Sequence, residues 1–117
     1  MPFIEVRNWP CHKTEEWQMS MANALRSAAV EAAVPGITAP HLVTVTFGGS
    51  ALMALPDNQT VGIIVDFLFE KPDRTKDVLN RLAECLHIAA REYFRDSWRI
   101  EVIVRPFNTE TGAYRTD

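Results

Sequence analysis

Two threonines constrain this chain more than any other feature. Thr14 and Thr75 stand roughly 60 positions apart, each placed to accept a hydrogen bond from an orphan N–H at the start of a helix. Behind Thr14, Glu15 and Glu16 occupy a first turn, where the helix dipole favours anions. Trp17, Met21, Ala24, Leu25 and Ala28 then share one helical face. Behind Thr75, residues Val78, Leu82, Leu86, Ala89 and Tyr93 do the same, with Leu79, Ala83 and Ala90 beside them. Each helix is preceded by a strand-like run (FIEVR at 3–7, VGIIVDFLF at 61–69) and followed by another (HLVTVTF at 41–47, RIEVIVR at 99–105). Pro35-Gly36 stops the first helix, the second is expected to end near Asp96-Ser97, and Pro106 is expected to end the last strand. Residues 51–60, with Pro56-Asp57-Asn58, read as a loop or short edge structure.

The pattern is strand–helix–strand twice, an α+β class. Each helix connection is long enough to join parallel strands by a crossover. The simplest architecture is a single domain over 1–117, built from pseudo-repeats at about 1–58 and 59–117. Four strands form one sheet, and both helices lie on one face. Val and Ile throughout 61–69 predict an apolar opposite face that needs a cover, which a homo-oligomer supplies. A ferredoxin-like module shares the element order but pairs its strands antiparallel throughout.

Composition narrows the function. A chain of 117 residues with 47% hydrophobic and 23% charged content can bury a core unaided. The net charge of −3 argues against nucleic acid as a partner. Cys11 and Cys85 make no disulfide framework. No apolar run is long enough to span a membrane, and MPFIEVRNWP lacks the basic stretch and apolar run of a signal peptide, so a cytoplasmic protein is expected. His12, His41, His87 and the cysteines show no clustered metal-ligand spacing, and no cofactor is expected. Gly48-Gly49-Ser50 lacks the lysine of a phosphate loop and reads as a turn. Cys11 and His12 are neighbours in the chain, a poor geometry for a nucleophile pair, and Trp9, Trp17 and Trp98 read as packing residues.

Pro2 opens the first strand, KPDRT at 71–75 joins a basic residue and turn to a helix cap, and RIEVIVRPFNTETGAY at 99–114 supplies the last strand and tail. With the duplicated β-α-β pattern, these segments resemble the tautomerase superfamily over nearly the whole chain. That group includes 4-oxalocrotonate tautomerase, 5-carboxymethyl-2-hydroxymuconate isomerase, the chloroacrylic acid dehalogenases and macrophage migration inhibitory factor. The resemblance implies a homotrimer of β-α-β-β-α-β subunits and a small carboxylate substrate, with Pro2 as catalytic base after loss of Met1. A proline exposed as the chain terminus carries a secondary amine. α-Amino groups titrate near ~7.7–8, and apolar burial lowers that value toward neutrality. A retained Met1 leaves a tertiary amide with no basic lone pair.

The same resemblance implies cations for the carboxylate. Lys71 and Arg74 stand where the cis-chloroacrylic acid dehalogenase pattern has two arginines, so Lys71 replaces a planar fork by a point charge. Lys13 lies nearest the arginine that precedes the first helix in 4-oxalocrotonate tautomerase. His41, at the expected start of the second strand, is a further candidate. Glu101 and Ile103 replace the pocket tyrosine and asparagine of macrophage migration inhibitory factor, and Phe69 matches an apolar pocket wall. Arg105 and Tyr114 are expected to reach a neighbouring subunit. Against the site reading stand solvated turn charges for Lys13, Lys71 and Arg74, an exposed strand residue for Glu101 and a core role for Phe69. The expected activity is keto–enol tautomerisation of an unsaturated 2-oxo acid. The alternatives are dehalogenase or hydratase chemistry with Glu101 activating water, and a non-catalytic binding protein on the same scaffold.

Overall fold

The helix starts follow from their caps. In the computed structural model, which describes residues 2–10, 12–49 and 59–117, the Thr14 hydroxyl accepts from the Trp17 N–H at 3.1 Å. The Thr75 hydroxyl accepts from Val78 at 3.3 Å. Helix α1 spans Glu15–Glu31 and α2 spans Lys76–Arg91. Helix α1 ends through Ala33, which takes a positive φ of 56° where glycine is the usual occupant. Helix α2 stops at Arg91, earlier than Asp96, and the Arg91 Nη1 donates to the carbonyls of Arg95 and Trp98. That side chain holds the turn that the sequence pattern assigned to the helix.

Among the described residues four strands form one sheet. They are β1 (Phe3–Arg7), β2 (Thr44–Gly48), β3 (Thr60–Phe69) and β4 (Arg99–Phe107), in the order β2-β1-β3-β4. β1 runs parallel to β2, β3 runs parallel to β4, and the central pair β1 and β3 is antiparallel. This mixed pairing excludes the ferredoxin-like alternative. Both helices cover one face, α1 against β2 and α2 against β4. Ile4, Val6, Val61, Ile63, Val65 and Leu68 point into that layer, and they meet Met21 and Leu25 of α1 and Leu82 and Leu86 of α2. Each such side chain contributes about 1.5–3 kcal/mol by leaving water.

Three further expectations are corrected. The run 41–47 is not strand throughout: Pro40–Leu42 form a 3-10 turn, and β2 begins at Thr44. Proline at the first position of that turn presets its φ and has no N–H to lose. Pro106 does not end β4, which continues to Phe107 with Pro106 paired opposite Leu68. β4 is an edge strand, so a residue without an N–H is tolerated on its open side. The third correction concerns the uncovered face. Val61, Ile63 and Val65 all point to the helices, so along β3 that face receives Gly62, Ile64 and Asp66 instead. It also carries the ion pairs Glu5–Arg7, Arg99–Glu101 and Asp66–Arg105, with Phe3 and Ile103 exposed among them. It is a mixed charged face, not an apolar one. The loop reading of 51–60 lies outside the described residues up to position 58, and Thr60 already belongs to β3.

Candidate active site

β1 enters the sheet at Pro2, which is buried, and the Pro2 carbonyl accepts from the Thr44 N–H at 3.2 Å. The start of β2 therefore lies beside Pro2, with the exposed His41 three residues upstream in the 3-10 turn. On the other side, Phe3 pairs with Asp66, so the antiparallel register carries Pro2 toward Phe67. β3 and β4 both finish at this end of the sheet. The turn 71–75 follows β3 directly, so Pro2, His41, Phe69, Lys71 and Arg74 all gather at one end of the fold.

Arg74 is not a solvated turn charge. Its Nε and Nη2 donate to the Pro35 carbonyl at 3.0 and 2.8 Å, and its Nη1 donates to the Phe69 carbonyl at 2.8 Å. The guanidinium thus ties the end of β3 to the loop after α1. Gly36 makes that approach possible: a Cβ there would sit 2.6 Å from Nη2, and the residue's φ is +92°. Three of the five guanidinium donors are spent on backbone carbonyls, and two remain for an anion. Arg74 and Lys71 share an open hollow of about 400 Å³ on the helix side, bordered by Glu70, Leu79, Asn108, Thr109 and Glu110.

A second cavity, of about 450 Å³, opens at the same end over the uncovered face. Phe67, Phe69, Phe107 and Tyr114 form its walls, and Pro106 borders both spaces. Phe69 meets the Tyr114 ring at 5.1 Å between centroids and Phe107 at 6.1 Å, so it is a cavity wall and not core. Asp66 and Arg105 stand on the rim as a forked pair, Nε to Oδ1 at 2.8 Å. The hydrogen bond to Asp66, and then its charge, raise the Arg105 guanidinium above its ordinary pKa, so Arg105 stays protonated at any working pH.

Other predicted residues are not brought to Pro2 within one chain. Glu101 aligns with Gly62 and through it with Arg7, five residues down β1 and so about 16 Å along the strands from Pro2. Its carboxylate faces Arg99 at 3.2 Å. Ile103 lies mid-strand on the uncovered face and is 48% exposed. The Lys13 ammonium sits 5.5 Å above the Trp17 ring, at the Arg7 end. The Cys11–His12 pair falls partly outside the described residues. Among the described residues, no three of His, Cys, Asp and Glu gather as metal ligands.

Sequence reasoning missed Arg26, whose Nε donates to the Val43 carbonyl at 3.1 Å and fastens α1 to the start of β2. A lone cation within an alanine-rich helix face was the available signal. It also missed Phe67, for which the sequence holds no signal: the register shift between Val65 and Leu68 that exposes it arises from pairing with β4.

The sequence matches no family model and none of the curated proteins. Solved structures do match. A fused 4-OT, solved as a symmetric trimer, superposes with a TM-score of 0.68 at 16% identity, over 91% of this chain and 85% of that one. N1, a member of the cis-3-chloroacrylic acid dehalogenase family, gives 0.66 at 18% identity over 96% and 79%. Pt0534, solved after inactivation by 2-oxo-3-pentynoate, gives 0.66 at 16% identity over 97% and 89%. These are tautomerase-superfamily structures, and this chain has the tautomerase fold.

Proposed function

We propose that the protein is a tautomerase acting on a small unsaturated 2-oxo acid, with Pro2 as general base, and that it works as a homotrimer. The observation that carries this reading is the gathering of a buried Pro2, the cations Lys71 and Arg74 and an aromatic cavity at one end of a tautomerase fold. Removal of Met1 frees a secondary amine. Pro2 is buried, and burial disfavours the charged form of that amine, the sense a general base needs. The neutral nitrogen takes the proton of an enol hydroxyl and returns a proton to the far carbon of the conjugated system. The bond order shifts along the chain, and negative charge passes through the dienolate. Arg74, held rigid by its backbone contacts, and Lys71 stabilise that charge without having to reorganise.

The trimer is supported by the fused 4-OT neighbours, which were solved as trimers. Hydratase or dehalogenase chemistry would call on Glu101 as its acid, which within one chain is paired with Arg99 at the other end of the sheet. The two chemistries also differ in the sign of their pH dependence. A general base requires the free amine, so the isomerase rate rises with pH through the amine pKa and then levels. Water addition with a protonated Pro2 shows the reverse.

The test is Pro2→Ala, assayed by ketonisation of phenylenolpyruvate and 2-hydroxymuconate, alongside intact mass of the wild type. Alanine leaves a primary amine at the terminus in place of the rigid secondary one, so the substitution misplaces the base, and kcat is expected to fall with unchanged oligomer mass. Unaltered turnover, or an active protein that retains Met1, refutes the reading.

A further inference from the structure

A single peptide group joins Pro2 to a cation. The Pro2 carbonyl accepts from the Thr44 N–H at 3.2 Å. The other side of that same peptide, the Val43 carbonyl, accepts from the Arg26 Nε at 3.1 Å. In a trans peptide the two groups point in opposite directions. The N–H therefore faces β1, and the carbonyl faces away from it, toward the Arg26 side chain of α1. One rigid, planar unit stands between the guanidinium and the residue proposed above as the base.

Arg26 is itself fixed, since its Nη1 donates to the Asn23 Oδ1 at 3.1 Å, one turn back on α1. Among the described residues no carboxylate pairs with it: the ion pairs are Glu5–Arg7, Arg99–Glu101 and Asp66–Arg105. The charge thus bears on the Val43 carbonyl, in a part-buried bond that salt screens weakly. α1 already packs on β2 and on the 3-10 turn before it, so fastening alone does not call for a cation. Two effects on Pro2 follow. Charge drawn from the Val43 carbonyl makes the Thr44 N–H a stronger donor, because hydrogen bonds in a chain polarise one another. The Pro2 carbonyl is then held more firmly, and it shares its Cα with the amine. A nearby positive charge also disfavours a second one on that amine.

We propose that Arg26 is a positioning residue for Pro2: through the Val43–Thr44 peptide it holds the terminal proline in place and favours its neutral amine. The effect on turnover rests on the tautomerase reading above; the effect on the amine rests only on the loss of Met1. The other charged groups at this end are His41 before β2, Asp66 and Glu70 on and after β3, Lys71 and Arg74 in the turn that follows, and Arg105 on β4. Asp66 and Arg105 bond each other, and Arg74 bonds the Pro35 and Phe69 carbonyls. All of these are common to wild type and variant, so a difference between two titrations reads Arg26.

Arg26→Gln and Arg26→Lys test this on the assembled protein. Glutamine keeps a donor and removes the charge; lysine keeps the charge and loses the fork. The amine is titrated directly, by nitrogen NMR of isotope-labelled proline, and through the pH profile of kcat/KM on phenylenolpyruvate. For Arg26→Gln the amine pKa is expected to rise by about half a unit, the scale of one charge acting through a few bonded groups near a protein surface. Below that pKa, kcat/KM falls by at least about threefold, the factor equal to half a unit, and the loss shrinks above it. Arg26→Lys stays within about 0.2 unit of wild type. An amine unmoved by glutamine, or a loss of turnover by the same factor at every pH, overturns the proposal, since each marks a purely structural clasp. If the glutamine variant does not fold, lysine decides: a shift of about half a unit with the charge kept overturns it. A wild type that turns over neither phenylenolpyruvate nor 2-hydroxymuconate, yet whose amine shifts upward in Arg26→Gln, sinks the tautomerase reading and sustains this one. A retained Met1 in the intact mass overturns both.

Discussion

Two aromatic clusters stand at opposite ends of the same sheet, and they differ in what covers them. At the Arg7 end, Trp17 meets Trp9, Phe47, Tyr93 and Phe94, with ring centroids 5.6–6.5 Å apart, and the group packs against the main core. Trp98 extends it beyond Phe94 at 5.5 Å. At the Pro2 end, Phe3, Phe67 and Tyr114 are all exposed, and the rings around them enclose a cavity. Both clusters have similar ring content. The Arg7 cluster spends its rings on closing the bottom of the helix–sheet layer. The Pro2 cluster leaves ring faces open and accepts a strained backbone at Phe67 to do so. Aromatic content alone therefore does not tell a closed cluster from an open one; exposure does.

The sharpest way to break that contrast is Trp17→Ala. Removing a ring that touches four others costs about 3 kcal/mol of stability, the scale of large-to-small changes in packed regions. Urea unfolding should show it as a lower midpoint, while kcat/KM of the remaining folded protein stays near wild type. A comparable loss of catalytic efficiency would mean that the two ends are coupled.

Arg74→Ala is expected to have the next largest effect, because it strips the partners from the Pro35 and Phe69 carbonyls. Leaving such groups unsatisfied costs about 1–3 kcal/mol, and the variant should lose substrate affinity as well. Arg74→Lys keeps the charge but not the fork, so it should recover part of the affinity and less of the stability. Full recovery of stability by lysine would show that the fork is unimportant.

Tyr114→Ala is the smallest perturbation. The ring is half open to solvent, so stability should stay within about 0.5 kcal/mol of wild type, while the KM for aryl substrates rises. A clear drop in the unfolding midpoint instead would make the tail a packing element like the Trp17 cluster.

The helix starts were legible because a cap and its bond lie within one turn: Thr14 reaches Trp17 and Thr75 reaches Val78. The strand–helix order was legible because side-chain periodicity reports which face an element buries. The uncovered face was misread because Val and Ile were counted along β3 without assigning their alternation, which sends Val61, Ile63 and Val65 to the helices. Arg74 could be picked out as a cation of the site by resemblance, but its clamp could not, since its partner carbonyl on Pro35 is 39 residues away. Glu101 and Lys13 were grouped with Pro2 by family position, and the antiparallel register of β1 on β3 carries Glu101 to the far end of the chain's own sheet.

The amino-acid sequence by itself determined the elements, their caps and their order, because those depend on interactions between residues a few positions apart. The tertiary structure alone decided that Arg74 is clamped at the Pro2 end, which cluster of rings stays open, and that Phe67 is pushed outward at a bulge. Those outcomes depend on strand register, and register is settled only when segments distant in the chain bury their apolar faces together.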